Sequence, residues 1–218
     1  MRIMPQNHKS NMLKDMQGRY YIYSLFKIYY QGDWEEIRKA LQAVEYYQDD
    51  NSQSPEPSIN SLLKRLSDLN SVMDENSIYE YNKLFVGPGK LLAPPFESSY
   101  RNKLGLVMQE ETMAVRNFYK EIGVEVKEKN SIPDDHLVLE LECICYLLAQ
   151  AAEQLEKGLI ASPNEYLVLY KMFFAQHIKP WLYEHCNDIL HHGVNPFCRG
   201  MAEIFKQFLQ GEERQNEK

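Results

Sequence analysis

The chain has no CxxC pair, no glycine-rich phosphate loop and no excess of basic residues. Each absence removes a class of function. Its four cysteines, Cys143, Cys145, Cys186 and Cys198, lie at spacings that fit neither a zinc ribbon nor a thioredoxin-type motif. Cys143 and Cys145 fall two apart in a helical run, on different faces, where they can share neither a metal nor a bridge, so reduced thiols are expected. Gly87-Pro88-Gly89-Lys90 lacks the spacing and the following hydroxyl of a Walker loop, and neither GxSxG nor HExxH occurs. With 24 Lys and Arg against 31 Asp and Glu, a formal charge of −7 does not suit a protein that grips nucleic acid. An acidic surface does suit a cationic peptide. No uncharged run approaches the ~18 apolar residues that span a bilayer, and the N-terminus carries no apolar signal core, so a cytoplasmic protein without stable membrane insertion is expected. No cofactor is called for.

What is present is globular and helical. Hydrophobic residues make up 44% of the chain and charged residues 25%, enough to bury one full core. Apolar residues recur at helical spacing nearly throughout, no alternating run enriched in β-branched residues stands beside them, and no repeat is evident. The expected fold is all-α, a single-domain bundle of about nine to eleven helices. Residues 1–16 read as a flexible N-terminal arm, 17–210 as the helical domain and 211–218 as a polar tail.

Punctuation residues place the helices. A first helix from Gly18 to Gln31 ends at Gly32; Asp33 with Glu36, and Ser77 with Glu80, read as reciprocal capping pairs. Asp49–Pro57 is the clearest linker, and Ser58 caps the segment after it. Ser98–Met108 is a helical turn or two, and Gly123 stops a helix from Thr112 to Ile122. Pro133 and Asp134 open the longest, central helix, whose buried face runs through Leu137, Leu141, Ile144, Leu148, Ala152 and Leu155 to Gly158. Ser162-Pro163-x-Glu165 starts a helix that Pro180 should kink or end.

Between two of these helices lies a loop poor in donors and rich in apolar surface, with Gly87, Pro88, Gly89, Pro94 and Pro95. Proline lacks an N–H and has a preset φ, so such a loop loses little entropy on holding one shape. That suits docking better than catalysis. The ordered series Tyr81-x-x-Leu84-Phe85, Gly87-Pro88, Pro94-Pro95-Phe96-Glu97-Ser98-x-Tyr100, Val115-Arg116-x-x-Tyr119, Gly123 and Pro133-Asp134-Asp135-His136 resembles the signature of the TorD/DmsD-type redox-enzyme maturation chaperones, related to the nitrate-reductase chaperone branch. The dense match covers about a quarter of the chain. Phe96 stands where that family often has a larger aromatic, and Gln109 where it often has glycine.

The resemblance implies a non-enzymatic, cytoplasmic, all-helical chaperone. Its partner would be the twin-arginine signal peptide of a molybdopterin-containing oxidoreductase, held until the cofactor has been inserted. A monomer or a domain-swapped dimer is implied. It carries a leader-binding role onto Tyr81, Leu84, Phe85, Pro94, Pro95, Phe96, Glu97, Ser98, Tyr100, Pro133, Asp135 and His136, with Asp135 accepting an arginine in a bidentate pair and Asp134 serving as a cap. By spacing alone Tyr81, Leu84 and Phe85 fit core packing equally well, Glu97 and Ser98 fit a cap, and Tyr100 fits packing. Two other readings stay open: an all-helical metal-dependent phosphohydrolase, suggested by the acids beside His136 and the scattered histidines but lacking the adjacent His-Asp order, and an assembly chaperone that recognises the client's mature part.

Overall fold

A computed structural model describes residues 6–45, 57–102, 106–127, 131–157 and 164–216. These form ten α-helices: α1 Gln6–Gln31, α2 Trp34–Gln42, α3 Ile59–Leu69, α4 Glu75–Tyr81, α5 Glu97–Arg101, α6 Glu110–Glu121, α7 Leu137–Glu156, α8 Glu165–Phe173, α9 Lys179–His192 and α10 Pro196–Asn216. The described residues contain no strand, only an isolated antiparallel bridge between Phe96 and His136. The all-α, single-domain architecture is the expected one.

Helix α7 is the central element. It lies along α1 and also packs on α8, while α9 packs on α10. Leu137, Leu141, Ile144, Leu148 and Leu155 are buried as the helical period requires; Ala151 takes the inner position expected of Ala152. Because α7 is wrapped on more than one side, Val138, Cys143, Cys145 and Leu147 are buried as well. Across the core, Phe26 of α1 stacks on Phe205 of α10 with ring centroids 3.9 Å apart, and Tyr23 meets Phe208 edge-on.

Several boundaries differ from the sequence reading, each for a definable reason. The longest helix is α1, with 26 residues against 20 for α7. It starts at Gln6, inside the stretch read as an arm, because Met12, Leu13 and Met16 share a face that packs on Ala151 and Leu155. At the other end α10 continues to Asn216, since Glu212 is buried among Arg19, Tyr23 and Tyr170. Burial pushes the Glu212 carboxyl up to about 7 even though Arg19 pulls the other way.

Caps follow the same logic. Asp33 and Ser58 accept from the amides of Glu36 and Ser61 as their positions imply. Ser77 does not begin a helix; Asp74 is the cap and Ser77 is its N3 partner, each bonding the other's backbone. Asn164 caps α8; Gly158, Ser162 and Pro163 lie outside the described residues, as does most of the Asp49–Pro57 linker. The opening expected over Ser98–Met108 is shorter, ending at Arg101. Helix α6 stops as predicted, with Gly123 at φ +74°, a left-handed conformation that costs glycine nothing.

The helix that begins at Glu165 gives way just before Pro180, as expected: α8 ends at Phe173 and Pro180 opens the next helix. It occupies the first turn of α9, where a missing N–H leaves nothing unpaired, and the chain enters that turn through a widened π-type turn, Phe174–Ile178. A second π-type turn, Asn82–Val86, carries α4 into the proline loop. Among the described residues no helix is long and apolar enough to cross a membrane.

Candidate functional site

The proline loop and the start of α7 are joined through the backbone. The Glu97 amide donates to the Asp135 carbonyl at 3.1 Å, and the Leu137 amide donates to the Pro95 carbonyl at 2.9 Å. Over this bridge the Phe96 ring meets the His136 ring edge-on, with centroids 4.9 Å apart. Upstream, the Ala93 amide donates to the Leu84 carbonyl and pins the loop to the π-type turn. The two motifs that stand about forty residues apart in the chain are therefore one seam.

Within that seam the two aspartates have roles opposite to those expected. Asp135 is fully buried; one carboxylate oxygen accepts the Ser98 amide at 2.9 Å and the other the Thr112 hydroxyl at 2.7 Å. It ties α5, α6 and α7 together and does not face a groove where a guanidinium could pair with it. Asp134, assigned as a mere cap, instead takes a two-pronged bond from Arg116, at 2.8 Å from Nε and 2.6 Å from the terminal nitrogen. The helix cap is His136, whose Nδ1 accepts the Val138 amide at 3.1 Å. Burial lowers the His136 pKa to about 4, so the ring is neutral at pH 7 and its Nδ1 can accept.

The apolar helix face is core. Tyr81, Leu84 and Phe85 are buried; Tyr81 donates to the Tyr30 carbonyl at 2.8 Å, and Phe85 packs against Tyr29, Tyr30 and His185. Of the two readings their spacing allowed, packing is the one realised. Pro95, Glu97 and Ser98 are buried too. Glu97 accepts from Arg101 at 2.5 Å and pairs with His177 at 2.9 Å. Tyr100 stacks on Trp181 and donates to Asp188 at 3.1 Å, while its oxygen lies 3.2 Å from Nδ1 of His185. Of the residues expected to bind the leader, those that remain half-buried are Pro94, Phe96, Tyr100, Pro133 and His136. A cavity of about 270 Å³ lies between Arg116, Tyr119, Lys120, Val124, Val126 and Asp134, and includes none of the expected binding residues.

Sequence reasoning missed His185, the hub beneath the seam. Its ring nitrogens lie within hydrogen-bond distance of the Tyr30 and Tyr100 hydroxyls, and burial lowers its pKa to about 3. Nothing local marks a histidine in mid-helix as such a hub. The four cysteines are free and buried, with burial raising Cys186 and Cys198 to about 12, which keeps both as inert thiols. Among the described residues no group of three or more His, Cys, Asp or Glu is placed to hold a metal ion.

Fold and seam together define an all-helical protein organised around a proline loop locked to a histidine-capped helix. The family model described as the nitrate reductase delta subunit matches residues 48–187, and the chain belongs to that family, which includes the TorD/DmsD-type proteins. It is similar to the Tat proofreading chaperone DmsD of Salmonella typhi, 24% identical over 136 residues that are 62% of this chain and 60% of the relative. It is also similar to the chaperone protein TorD of Vibrio parahaemolyticus, 27% identical over 60% of each chain. TorD of Vibrio cholerae is 28% identical over 161 residues, 70% of this chain and 71% of the relative. In the first two cases the match spans about 60% of the relative's length.

Proposed function

We propose that this chain is a cytoplasmic maturation chaperone, not an enzyme, that binds the twin-arginine leader of an apo-molybdoenzyme and holds it until the molybdopterin cofactor has been inserted. The observation that carries this reading is the seam itself: half-buried Pro94, Phe96, Pro133 and His136 gathered by the Phe96–His136 bridge. Membership of a family whose relatives are named as Tat proofreading chaperones supports it. An apolar leader segment that covers the Phe96 and proline surface gains about 25 cal/mol for each Å² taken from water. The charge of −7 favours encounter with a cationic leader.

Calorimetric titration with a synthetic peptide bearing two consecutive arginines and an apolar run tests the proposal. Binding that Phe96→Ala or His136→Ala weakens, with helical circular dichroism unchanged, is the expected result. Absence of binding by any leader encoded beside this gene overturns it. The family description, a nitrate reductase subunit, favours one second reading, recognition of the client's mature part. Unchanged binding to a client lacking its leader selects that reading.

A further inference from the structure

Of the twelve large apolar side chains exposed among the described residues, four fall between positions 106 and 113: Leu106 at 50%, Val107 at 41%, Met108 at 64% and Met113 at 49%. The others stand singly or in pairs along the chain, as is ordinary on a protein surface. Four together make a patch, and an exposed apolar patch marks an interaction site.

The loop that carries the patch is held by side-chain amides. Asn102 accepts the Leu106 amide at 3.1 Å and donates to the Leu106 carbonyl at 2.6 Å, and Gln109 donates to the Val107 carbonyl at 3.0 Å. The backbone is thereby satisfied while the apolar side chains stay in water. Met108 has φ +60° and is the one described non-glycine residue with a positive φ. Glycine adopts that conformation freely and methionine does not, so a large apolar side chain is kept at a position where a smaller residue would be less strained.

Both ends of the loop are joined to the seam. Phe96 precedes the first residue of α5 and Asn102 follows its last, about 9 Å further on at 1.5 Å per residue. On the far side Thr112, in the first turn of α6, holds Asp135, the neighbour of His136. An apolar peptide run of about ten residues measures about 15 Å as a helix and about 33 Å extended, so one segment can lie on Phe96 and on the patch together. Charge indicates what that segment is. Glu110 and Glu111 follow the patch directly, and the nearest described basic residues in the chain, Arg101 and Arg116, are already paired with Glu97 and Asp134. An apolar surface with an acidic edge complements an apolar run preceded by arginines. The two methionines, unbranched and polarizable, adapt to differing apolar partners.

We infer that Leu106, Val107, Met108 and Met113 form the docking surface for the apolar run of the twin-arginine leader, with Glu110 and Glu111 at the edge that meets its arginines. The inference rests on the proposed leader binding. It requires no rearrangement, because the side chains are exposed in the free protein.

Calorimetric titration of the full chain with two synthetic peptides tests it. One carries two arginines followed by an apolar run; in the other, serine and glycine replace that run. The variant Val107→Ser with Met108→Ser changes exposed positions only, and its circular dichroism and urea midpoint should match wild type. Wild type is expected to bind the first peptide about tenfold more tightly than the variant does, the equivalent of about 60 Å² of apolar contact, and the second no more tightly. Equal affinity of wild type and variant for the first peptide, or an equal loss for both peptides, overturns the docking surface and leaves leader binding standing. Self-association of wild type that the variant abolishes, with peptide affinity unchanged, overturns it in favour of a second copy of this chain. Failure of wild type to bind the first peptide overturns both the surface and the leader reading. Glu110→Gln with Glu111→Gln should weaken binding of the first peptide and lessen its salt dependence, and an unchanged salt dependence overturns the acidic edge.

Discussion

The Asp135 carboxylate caps the first turn of α5 from across the seam: Oδ2 accepts the Ser98 amide at 2.9 Å while Oδ1 holds the Thr112 hydroxyl at 2.7 Å. One side chain therefore fixes three elements at full burial. Asp135→Ala leaves two buried donors unpaired and should lower stability by roughly 3 kcal/mol, at about 1–3 kcal/mol for each group. Urea denaturation followed by circular dichroism reads it. A variant as stable as wild type but defective in peptide binding would return Asp135 to the role of a ligand-contacting group.

A second buried acid clasps the turn between α9 and α10. Glu80 of α4 accepts the Val194 amide at 2.5 Å and the Asn195 amide at 2.7 Å through the same oxygen. Asn195 in turn caps α10 by accepting from Phe197 and Cys198. Glu80→Ala should cost roughly 3 kcal/mol, whereas Glu80→Gln keeps an oxygen acceptor and should cost about 1 kcal/mol. Equal losses for the two variants would mean that charge, rather than geometry, holds the turn.

Gly193, in that same turn, has an ordinary extended backbone, φ −79° and ψ 138°, so its reason is space rather than conformation. A Cβ there would lie 2.6 Å from the Ile189 carbonyl oxygen and 3.1 Å from the Glu80 carboxylate. The carbonyl belongs to the helix and cannot turn aside. Gly193→Ala should destabilise by about 1–3 kcal/mol, as overpacking does. Its effect should also fall short of additivity with Glu80→Ala, because both act on one turn. Strict additivity in the double-mutant cycle would separate the two.

Local chemistry made some of this visible in the sequence, and long-range partners hid the rest. Asp33 and Ser58 were legible as caps because a cap is satisfied within three residues. Ser77 was misread because Asp74, also a good cap, lies three residues before it, and Glu80 was misread because its true partners are more than a hundred residues away. The family signature assigned the proline loop and the Pro133–His136 segment to one binding site, and the structure brings the two together with Asp135 buried between them. The burial of Asp135, and the assignment of Tyr81, Leu84 and Phe85 to the core, depend on α6, α9 and α1, which no local pattern encodes. The helical stretch before Gly18 escaped notice because its three apolar positions are set among polar ones.

The last prediction concerns pH and comes from His185. Its ring bridges Tyr30, 2.8 Å from Nε2, and Tyr100, 3.2 Å from Nδ1, and burial lowers its pKa to about 3 from an unfolded value near 6.5. Between those values the unfolded chain binds the proton and the folded one does not, so the stability His185 confers is complete above pH 6.5 and is lost as pH falls. Glu212, raised to about 7, works in the opposite sense: its folded state holds the extra proton, so its contribution is complete below about 4.5 and fades as pH rises through 7. Total stability against pH therefore mixes the two. The difference between wild type and His185→Gln isolates the imidazole, and it should shrink by about 2 kcal/mol between pH 8 and pH 5. The matching difference between wild type and Glu212→Gln should move the other way across the same range. Urea midpoints for the three proteins at a series of pH values measure both slopes, and a wild-type to His185→Gln difference that stays constant would mean that the ring accepts its proton without leaving the fold.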